Sequence, residues 1–341
     1  MIEAHRAALR DWLAARAGAQ GCVVHFMEKL SGGAIQENWL LRVEMQGGAM
    51  PGPGELVIRT DSPSSVVQSL GREQEFALLE VAHGAGMTVP EPLYLDSEGA
   101  VIGKPFYVMR RVTGTTNPRD LTRDTMLDYR RDLLTHDIGR EIARLHTVVP
   151  PHPDLDFLGP PPENPARQRA ESFLEQLDGL SDPLPVLEWG TRWLRRNAPE
   201  SERVTLCHGD YRTGNIMIDD ARVTGILDWE FASWSDPMED IGWLCARCWR
   251  FGMDAREAGG LGPRAELYRG YETEAGHLLD WSKVAYWEVM ATVRWAIIAH
   301  YQGLRHVSGA EFSMELALTG RKAAEMELDV LTQIRAIEEG D

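Results

Sequence analysis

A short polar stretch, HGDYRTGN at residues 208–215, combines residue types that chemistry on phosphate groups requires. It contains Asp210 and Asn215, and Asp228 follows in the segment ILDWE. Phosphoryl transfer needs oxygen ligands for Mg²⁺, a carboxylate that orients the attacking hydroxyl and accepts its proton, and cations on the phosphates. Because these three side chains supply oxygens of the required kinds, their types and spacing favour metal-dependent phosphoryl transfer.

The segment that joins Asn215 to Asp228 predicts a β-hairpin. In NIMIDDARVTGILD two apolar runs flank the polar residues 219–222, which is typical of two short strands and a turn. Because a hairpin brings the chain back to its starting point, we expect Asp228 to lie beside Asn215. Asp219 and Asp220 then have the ordinary role of turn-forming residues.

The rest of the chain predicts two lobes of different composition. Segments rich in β-branched and aromatic residues, typical of strands, occur at 21–30, 38–45, 55–60, 89–96 and 104–112. A helical pattern follows the third of them, and from Thr115 onward amphipathic helices dominate. We therefore predict an α+β fold with a β-rich lobe at 1–112 and a mostly helical lobe at 113–341. A cleft between two such lobes is a natural site for a small molecule.

The two polar motifs together resemble a known family, the aminoglycoside phosphotransferase-like kinases. In that family the catalytic loop reads H-G-D-x-x-x-x-N and the metal-binding strand end reads [IL]-D-[WFY]-[ED], and this chain has both in the same order. The resemblance extends over nearly the whole chain, including PFYVMRRVTG and EIARLH. The chain looks especially like the bacterial branch similar to the kinase-like domain fused to some acyl-CoA dehydrogenases. The resemblance implies a two-lobed protein-kinase-like fold and transfer of a phosphoryl group from ATP, with Mg²⁺, to a hydroxyl of a small molecule.

The resemblance also implies roles for individual residues. Asp210 corresponds to the catalytic base, and Asn215 with Asp228 to the Mg²⁺ ligands. Backbone amides of Ser31, Gly32 and Gly33 are expected to cover the nucleotide phosphates, since glycine permits close approach. Backbone groups around Met109, Arg110 and Val112 are expected to meet the adenine.

The cation that grips the phosphates is where the chain departs from the protein-kinase pattern. The only lysines are Lys29, Lys104, Lys283 and Lys322, so the predicted third strand, ELVIRT, carries Arg59 where a lysine is usual. A guanidinium still supplies charge in a planar fork that can bridge two phosphate oxygens. We predict Arg59 as the phosphate ligand and Glu75 as its partner, while Glu73 stays open as the alternative.

The acceptor is expected to be a small molecule. Gly209 stands where protein kinases that await phosphorylation usually have arginine, and no long segment follows Asp228 to dock a peptide. Trp234, Trp287 and Arg294 are candidate acceptor contacts, although both tryptophans fit a packing role equally well. Arg294 lies among apolar residues and either pairs with an acidic residue or awaits an anionic substrate group. The family branch favours a hydroxylated metabolite or a hydroxyacyl-CoA over an antibiotic.

Five further residues, one histidine, two aspartates and two cysteines, are interpreted as structural. His208 could bind a metal or act as a base, but in this loop we expect it to hydrogen-bond the backbone and hold the loop. Asp236 and Asp240 resemble family positions that anchor the catalytic loop and cap a helix. Cys245 and Cys248 form a CARC pair, which we interpret as packing cysteines because no second pair or histidine set completes a metal site.

Composition excludes several partners. The formal net charge of -17 repels phosphate polymers and anionic lipid, so neither nucleic acid nor a membrane is an expected partner. The first residues, MIEAHRAALRDWLAARAGAQG, carry charges at helical spacing rather than a signal peptide, and a cytoplasmic location is expected. The sequence makes no prediction about oligomeric state.

Three alternatives remain open at this level. The arginine at the phosphate position is compatible with a nucleotide-binding regulatory protein that catalyses weakly. A kinase that confers aminoglycoside or macrolide resistance has the same motifs, because fold analogy does not choose the acceptor. A metallohydrolase built on His208 and the aspartates is the third, and it predicts a tightly held transition metal.

Overall fold

The computed structural model describes residues 2–30, 36–61, 70–180 and 182–340, and the predicted α+β class is confirmed. The strands are β1 Gly21–Lys29, β2 Gln36–Gln46, β3 Gly52–Asp61, β4 Pro92–Asp96, β5 Phe106–Arg110, β6 Thr205–Cys207, β7 Ile216–Asp219, β8 Arg222–Ile226 and β9 Ser233–Ser235. The α-helices are α1 Arg6–Ala17, α2 Arg72–Gly84, α3 Pro118–Arg123, α4 Arg131–Leu145, α5 Pro165–Asp178, α6 Pro185–Arg196, α7 Met238–Cys245, α8 Arg264–Ala275, α9 Val284–Val307, α10 Met314–Arg321 and α11 Ala323–Glu339.

The N-terminal sheet has five antiparallel strands in the order β1-β2-β3-β5-β4, with α2 inserted between β3 and β4. Side chains alternate between the two faces of a strand. In β3, Leu56 and Ile58 therefore join the core on the α1 side, while Val57 joins the core on the α2 side. Arg59 shares the face of Val57, so its side chain extends toward α2 and the helical lobe.

The larger of the two main cores is continuous between the lobes. It includes Phe76 and Leu79 of α2, Tyr107 of β5 and many residues of the helical lobe, among them the buried face of α9. The smaller core lies between α1 and the sheet. The division of the chain at residues 112 and 113 remains a prediction, and apolar packing crosses it.

Two short ribbons of the helical lobe carry the polar motifs. β7 pairs with β8, and β6 pairs with β9 through the register Thr205 to Ser235. The sequence did not predict β9, because a three-residue strand of sequence Ser-Trp-Ser has too few apolar alternations to stand out. Within the described ranges, no helix has the length and apolar character that crossing a membrane requires.

Candidate active site

The loop between β6 and β7 is held by buried hydrogen bonds to its backbone. Both carboxylate oxygens of Asp240 accept from it, one from the N–H of His208 at 2.7 Å and the other from the N–H of Gly209 at 2.9 Å. The His208 ring is buried and contacts the Leu227 carbonyl oxygen through Nε2 at 2.9 Å. These contacts are those expected of loop-holding residues. Burial lowers the pKa of His208 despite the nearby carboxylates, which favours a neutral ring.

Gly209 is required by this loop geometry. Its φ of 76° lies in the left-handed region, and a Cβ at this position would lie 2.2 Å from the Phe231 carbonyl oxygen. The same residue accepts a hydrogen bond from Arg294, whose Nη1 lies 2.6 Å from the Gly209 carbonyl oxygen. The residue before Asp210 is therefore fixed from two sides.

The Asp210 carboxylate is oriented by three donors. Asn215 Nδ2 donates to Oδ2 at 2.6 Å, and the Trp243 indole N–H donates to Oδ1 at 2.8 Å. Arg212 Nε reaches the same Oδ1 at 3.0 Å. Only 8% of Asp210 is exposed. The three donors therefore hold a nearly buried carboxylate in one orientation.

The predicted hairpin brings Asp228 back to Asn215. Asp220 and Ala221 have φ values of 44° and 57°, the left-handed pair typical of a tight two-residue hairpin turn. After β8 the Leu227 N–H donates to the Asn215 carbonyl oxygen at 2.9 Å. Asp228 follows with a φ of 64°, a left-handed conformation that glycine, asparagine and aspartate adopt more readily than other residues. This turn directs its side chain toward the N-terminal lobe, where it meets Arg59.

Arg59 joins the two lobes through carboxylates. Its Nη2 lies 2.8 Å from Glu75 Oε1 on α2 and 2.7 Å from Asp228 Oδ1 in the helical lobe. Burial opposes the guanidinium charge, but the neighbouring carboxylates hold the pKa of Arg59 above its ordinary value. Burial likewise opposes the charge on Asp228, and Arg59 outweighs it, so the pKa of that carboxyl lies below its ordinary value. Both groups are therefore charged at neutral pH.

The Glu75→Gln variant is expected to unfold more readily and to bind nucleotide more weakly than the native chain. Glu75 is 1% exposed and pairs with Arg59, and removing one partner of a buried ion pair costs about 3 kcal/mol or more in stability. Chemical denaturation measures the first effect, and calorimetric titration with Mg²⁺ and ATP measures the second.

Glu73→Gln is the matched control, because Glu73 lies on the same helix but is exposed. It should behave like the native chain in both measurements. Equal effects of the two substitutions would contradict the assignment of Glu75 as the functional partner of Arg59.

Of the other predicted nucleotide contacts, three lie outside the described residues and three lie within them. Ser31, Gly32 and Gly33 lie outside the described residues. Met109 is buried in β5 between β3 and β4, and the Arg110 side chain points to Glu91, with 2.7 Å between its Nε and the carboxylate. Val112 follows β5 and packs beside Gly225 of β8. Backbone contact of these three residues with adenine remains a prediction.

The three candidate acceptor contacts are in different environments. Trp287 and Trp234 are 1% and 6% exposed and belong to the main core, so the packing alternative describes both. Arg294 lies against this loop instead, and its guanidinium stacks over the Trp243 ring at 4.4 Å. No carboxylate of the described residues lies within 4.0 Å of the Arg294 guanidinium, so the acidic partner considered from the sequence is not found among them.

Four residues of the site were not predicted from the sequence, namely Arg72, Arg212, Glu230 and Trp243. Arg212 and Glu230 lie inside the quoted motifs, so their positions were a signal that could have been used. Trp243 is separated from Asp210 by 33 positions in the chain, and nothing in its local pattern distinguishes it from a core tryptophan. Burial, and then the neighbouring Asp228 carboxylate, raise the pKa of Glu230 to about 7.

The buried thiols and histidines of this lobe fit packing roles. Burial raises the pKa of both Cys245 and Cys248, which disfavours the thiolate that metals require. His146, Cys207 and Asp240 offer ligand atoms within 4.8 Å of one another. Hydrogen bonds account for this cluster, since His146 contacts the Tyr271 hydroxyl at 2.9 Å and Asp240 at 3.2 Å.

Comparison with known proteins relates this geometry to a family. The profile of the phosphotransferase enzyme family, APH, matches residues 27–286. Among curated proteins, acyl-CoA dehydrogenase family member 10 of Mus musculus is 28% identical over 194 residues, covering 56% of this chain and 18% of that protein. The chain thus spans about a fifth of the length of this curated relative.

Solved structures share the fold at low sequence identity. A candidate aminoglycoside phosphotransferase from Ralstonia eutropha superposes with a TM-score of 0.77 at 22% identity, covering 96% of this chain and 98% of that chain. A thermostable mutant of an aminoglycoside phosphotransferase, in ternary complex with AMP-PNP and hygromycin B, gives 0.55 at 15% identity, with coverage of 96% and 98%. The two-lobed kinase-like fold predicted from the sequence is confirmed.

Proposed function

The chain belongs to the phosphotransferase enzyme family, and from this premise we propose that it transfers the terminal phosphoryl group of ATP, with Mg²⁺, to a hydroxyl of a small molecule. The observation that supports this most strongly is one linked set of contacts: Asn215 is hydrogen-bonded to Asp210, the residue before Asp228 is hydrogen-bonded to Asn215, and Asp228 pairs with the Arg59 guanidinium of the other lobe. Hard oxygen ligands, a carboxylate and a cation are the parts that phosphoryl transfer requires.

The residues fit a magnesium ion. Asn215 uses its amide nitrogen on Asp210, which leaves its Oδ1 directed away from that contact, and Asp228 contributes an ionised carboxylate. Arg59 now neutralises Asp228, as a bound cation would. When bound, Mg²⁺ would neutralise phosphate charge and align the terminal phosphate. Asn215 and Asp228 would hold it.

Asp210 would orient the acceptor hydroxyl and accept its proton. The Trp243 and Asn215 donors fix the plane of the carboxylate, so one oxygen lone pair can face the hydroxyl without reorganisation. Positioning and charge neutralisation supply most of the catalysis in this type of transfer. Arg212, which contacts Oδ1, would lie close to the group being transferred.

Arg59 would bind the phosphates once Asp228 turns to the metal. Its Glu75 contact remains, so the guanidinium keeps an anchor while Nη2 loses one carboxylate. Backbone amides of Ser31, Gly32 and Gly33 would cover the phosphates. Backbone groups of Met109, Arg110 and Val112 would meet the adenine. Structurally similar enzymes are known in complex with AMP-PNP and with GDP, which supports a purine nucleotide as donor; ATP is the proposed donor and GTP is the alternative.

The acceptor pocket would lie beside Asp210, against the rings of Trp243 and Trp249. An arginine stacks on each of these two rings. Arg294 lies over Trp243, and Arg212 lies 4.5 Å over the Trp249 ring. Cations next to the base disfavour a polycationic aminoglycoside and favour a neutral or anionic acceptor. We therefore propose a hydroxylated metabolite or a hydroxyacyl-CoA, with Arg294 available to an anionic group. The curated relatives carry names of acyl-CoA enzymes, which agrees with this choice.

A screen for ADP release tests this proposal. The native chain is incubated with ATP and Mg²⁺ and a panel of hydroxy acids, hydroxyacyl-CoA thioesters, choline-like alcohols, sugars, aminoglycosides and macrolides. We expect stimulation by a hydroxylated metabolite or thioester and none by aminoglycosides. Tight Mg²⁺-dependent ATP binding without turnover on any acceptor would favour the regulatory alternative. Elemental analysis that finds a stoichiometric transition metal would favour the metallohydrolase.

A further inference from the structure

A second buried arginine lies behind Arg59. Arg72, the first residue of α2, has a side chain that is 1% exposed. Its Nη1 donates to Glu75 Oε2, its Nη2 donates to the Leu70 carbonyl oxygen at 2.9 Å, and its Nε lies 3.0 Å from Asp61 Oδ1. A guanidinium buried to this degree is stable only when carboxylates and carbonyls surround it. The family motifs assign it no role.

Glu75 is therefore shared by two guanidinium groups. Arg59 binds Oε1 through Nη2 at 2.8 Å and contacts both carboxylate oxygens through Nε at 3.1 Å, while Arg72 binds Oε2. An ionised carboxylate has about four acceptor positions, enough for both partners. Because Oε2 is bound by Arg72 on one side, the Glu75 side chain has one orientation, and that orientation presents Oε1 to Arg59.

The charges form one continuous chain. In order they are Asp61, Arg72, Glu75, Arg59 and Asp228, and each neighbour pair is within salt-bridge distance. The outer carboxylates are partly exposed, whereas the three central groups are buried. Of the outer two, Asp228 is the one that would turn to the metal. The central groups then have to hold Arg59 in place without it.

Arg72 also fixes the start of α2 to the end of β3. Asp61 is the last residue of β3, and Leu70 directly precedes the turn into α2. Binding both of them sets the distance between the strand that carries Arg59 and the helix that carries Glu75. A change at Arg72 therefore alters how Glu75 presents itself to Arg59.

We propose that Arg72 is a positioning residue of the nucleotide phosphate site and that it acts through Glu75. This inference rests on the proposed function, in which Arg59 binds the phosphates. Arg72 itself touches no phosphate. It holds Glu75 so that Arg59 stays directed at the phosphates when Asp228 leaves it.

A double-mutant cycle tests the inference. The affinity for ATP in the presence of Mg²⁺ is measured by calorimetry for the native chain and for R72M, E75Q and the R72M/E75Q double variant. R72M should weaken binding on the order of 10-fold, the size of one charge-assisted hydrogen bond. The double variant should bind about as weakly as E75Q alone, because Arg72 has nothing left to act through.

Two further variants separate positioning from general damage. R42M removes an ion-paired but exposed arginine of the same sheet and should bind ATP like the native chain. R72K keeps the charge but cannot make the three contacts together, so it should bind ATP at least about threefold more weakly with little change in unfolding midpoint. If R72M does not fold, the ATP affinity of R72K alone tests whether Arg72 positions the phosphate site.

The outcomes distinguish this inference from the proposed function. A native chain that does not bind ATP with Mg²⁺ overturns both. A native chain that binds while R72M and R72K bind equally well overturns the role of Arg72 alone. Strictly additive losses in the cycle also overturn it, since they would mean that Arg72 acts independently of Glu75.

Discussion

Replacement of Asp210 by asparagine is expected to slow phosphoryl transfer by about 10³-fold while leaving ATP affinity unchanged, since a positioned general base contributes on the order of 10²–10⁴-fold. Asparagine keeps the shape of the side chain, and its single amide oxygen can still accept from the Trp243 indole N–H, although its NH2 group would face Asn215 Nδ2 and that hydrogen bond is lost. The loop should keep its structure because Asp240 holds the backbone of His208 and Gly209 independently. It has no carboxylate to accept the hydroxyl proton. The rate of ADP release with the acceptor found in the screen measures the effect.

The control for this substitution is Asp220→Asn. Asp220 lies in the exposed hairpin turn at a φ of 44°, a conformation that asparagine adopts readily, so the substitution changes charge without strain. It should leave both rate and affinity as they are. Full turnover of the Asp210→Asn enzyme would remove this carboxylate from the mechanism.

Replacement of Asp228 by asparagine is expected to abolish the contribution of Mg²⁺ to ATP binding. Loss of groups that merely orient metal ligands costs about 10–100-fold in affinity, so loss of a ligand itself should cost at least about 100-fold. Asparagine is preferred to alanine because the φ of 64° at this position disfavours alanine. Calorimetric titrations of ATP with Mg²⁺ and with EDTA separate the metal-dependent part.

The same substitution also releases Arg59 from its partner in the helical lobe. In EDTA the Asp228→Asn variant should therefore bind ATP no more weakly than the native chain, because the guanidinium no longer has to leave a carboxylate. Native-like binding with Mg²⁺ would contradict the assignment of Asp228 as a metal ligand.

The sequence was sufficient to predict the central arrangement of Asp210, Asn215 and Asp228. All three lie within one loop and one hairpin, and local rules determine where such a segment turns and returns. Turn residues at 219–222 and the spacing of the apolar runs require Asp228 to come back near Asn215. The five strands and the helix after the third were predictable for the same reason, because each is a local pattern.

The alternatives that the sequence left open depended on which face of a helix turns inward. Glu73 and Glu75 are two positions apart on α2, about 200° around a helix of 3.6 residues per turn. Only packing against β3 and the helical lobe makes Glu75 the buried member, and the exposed Glu73 faces away. Trp234 and Trp287 were ambiguous for a similar reason, and packing buries both.

What the sequence by itself determined about this protein is its type of reaction, phosphoryl transfer, because the oxygen-bearing side chains lie close together in one segment of the chain. What only the tertiary structure decided is which distant groups meet them. Arg59 and Asp228 are 169 positions apart, and Arg294 and Gly209 are 85 apart. Contacts of that separation depend on the packing of the two lobes, a property of the whole core that no local pattern contains.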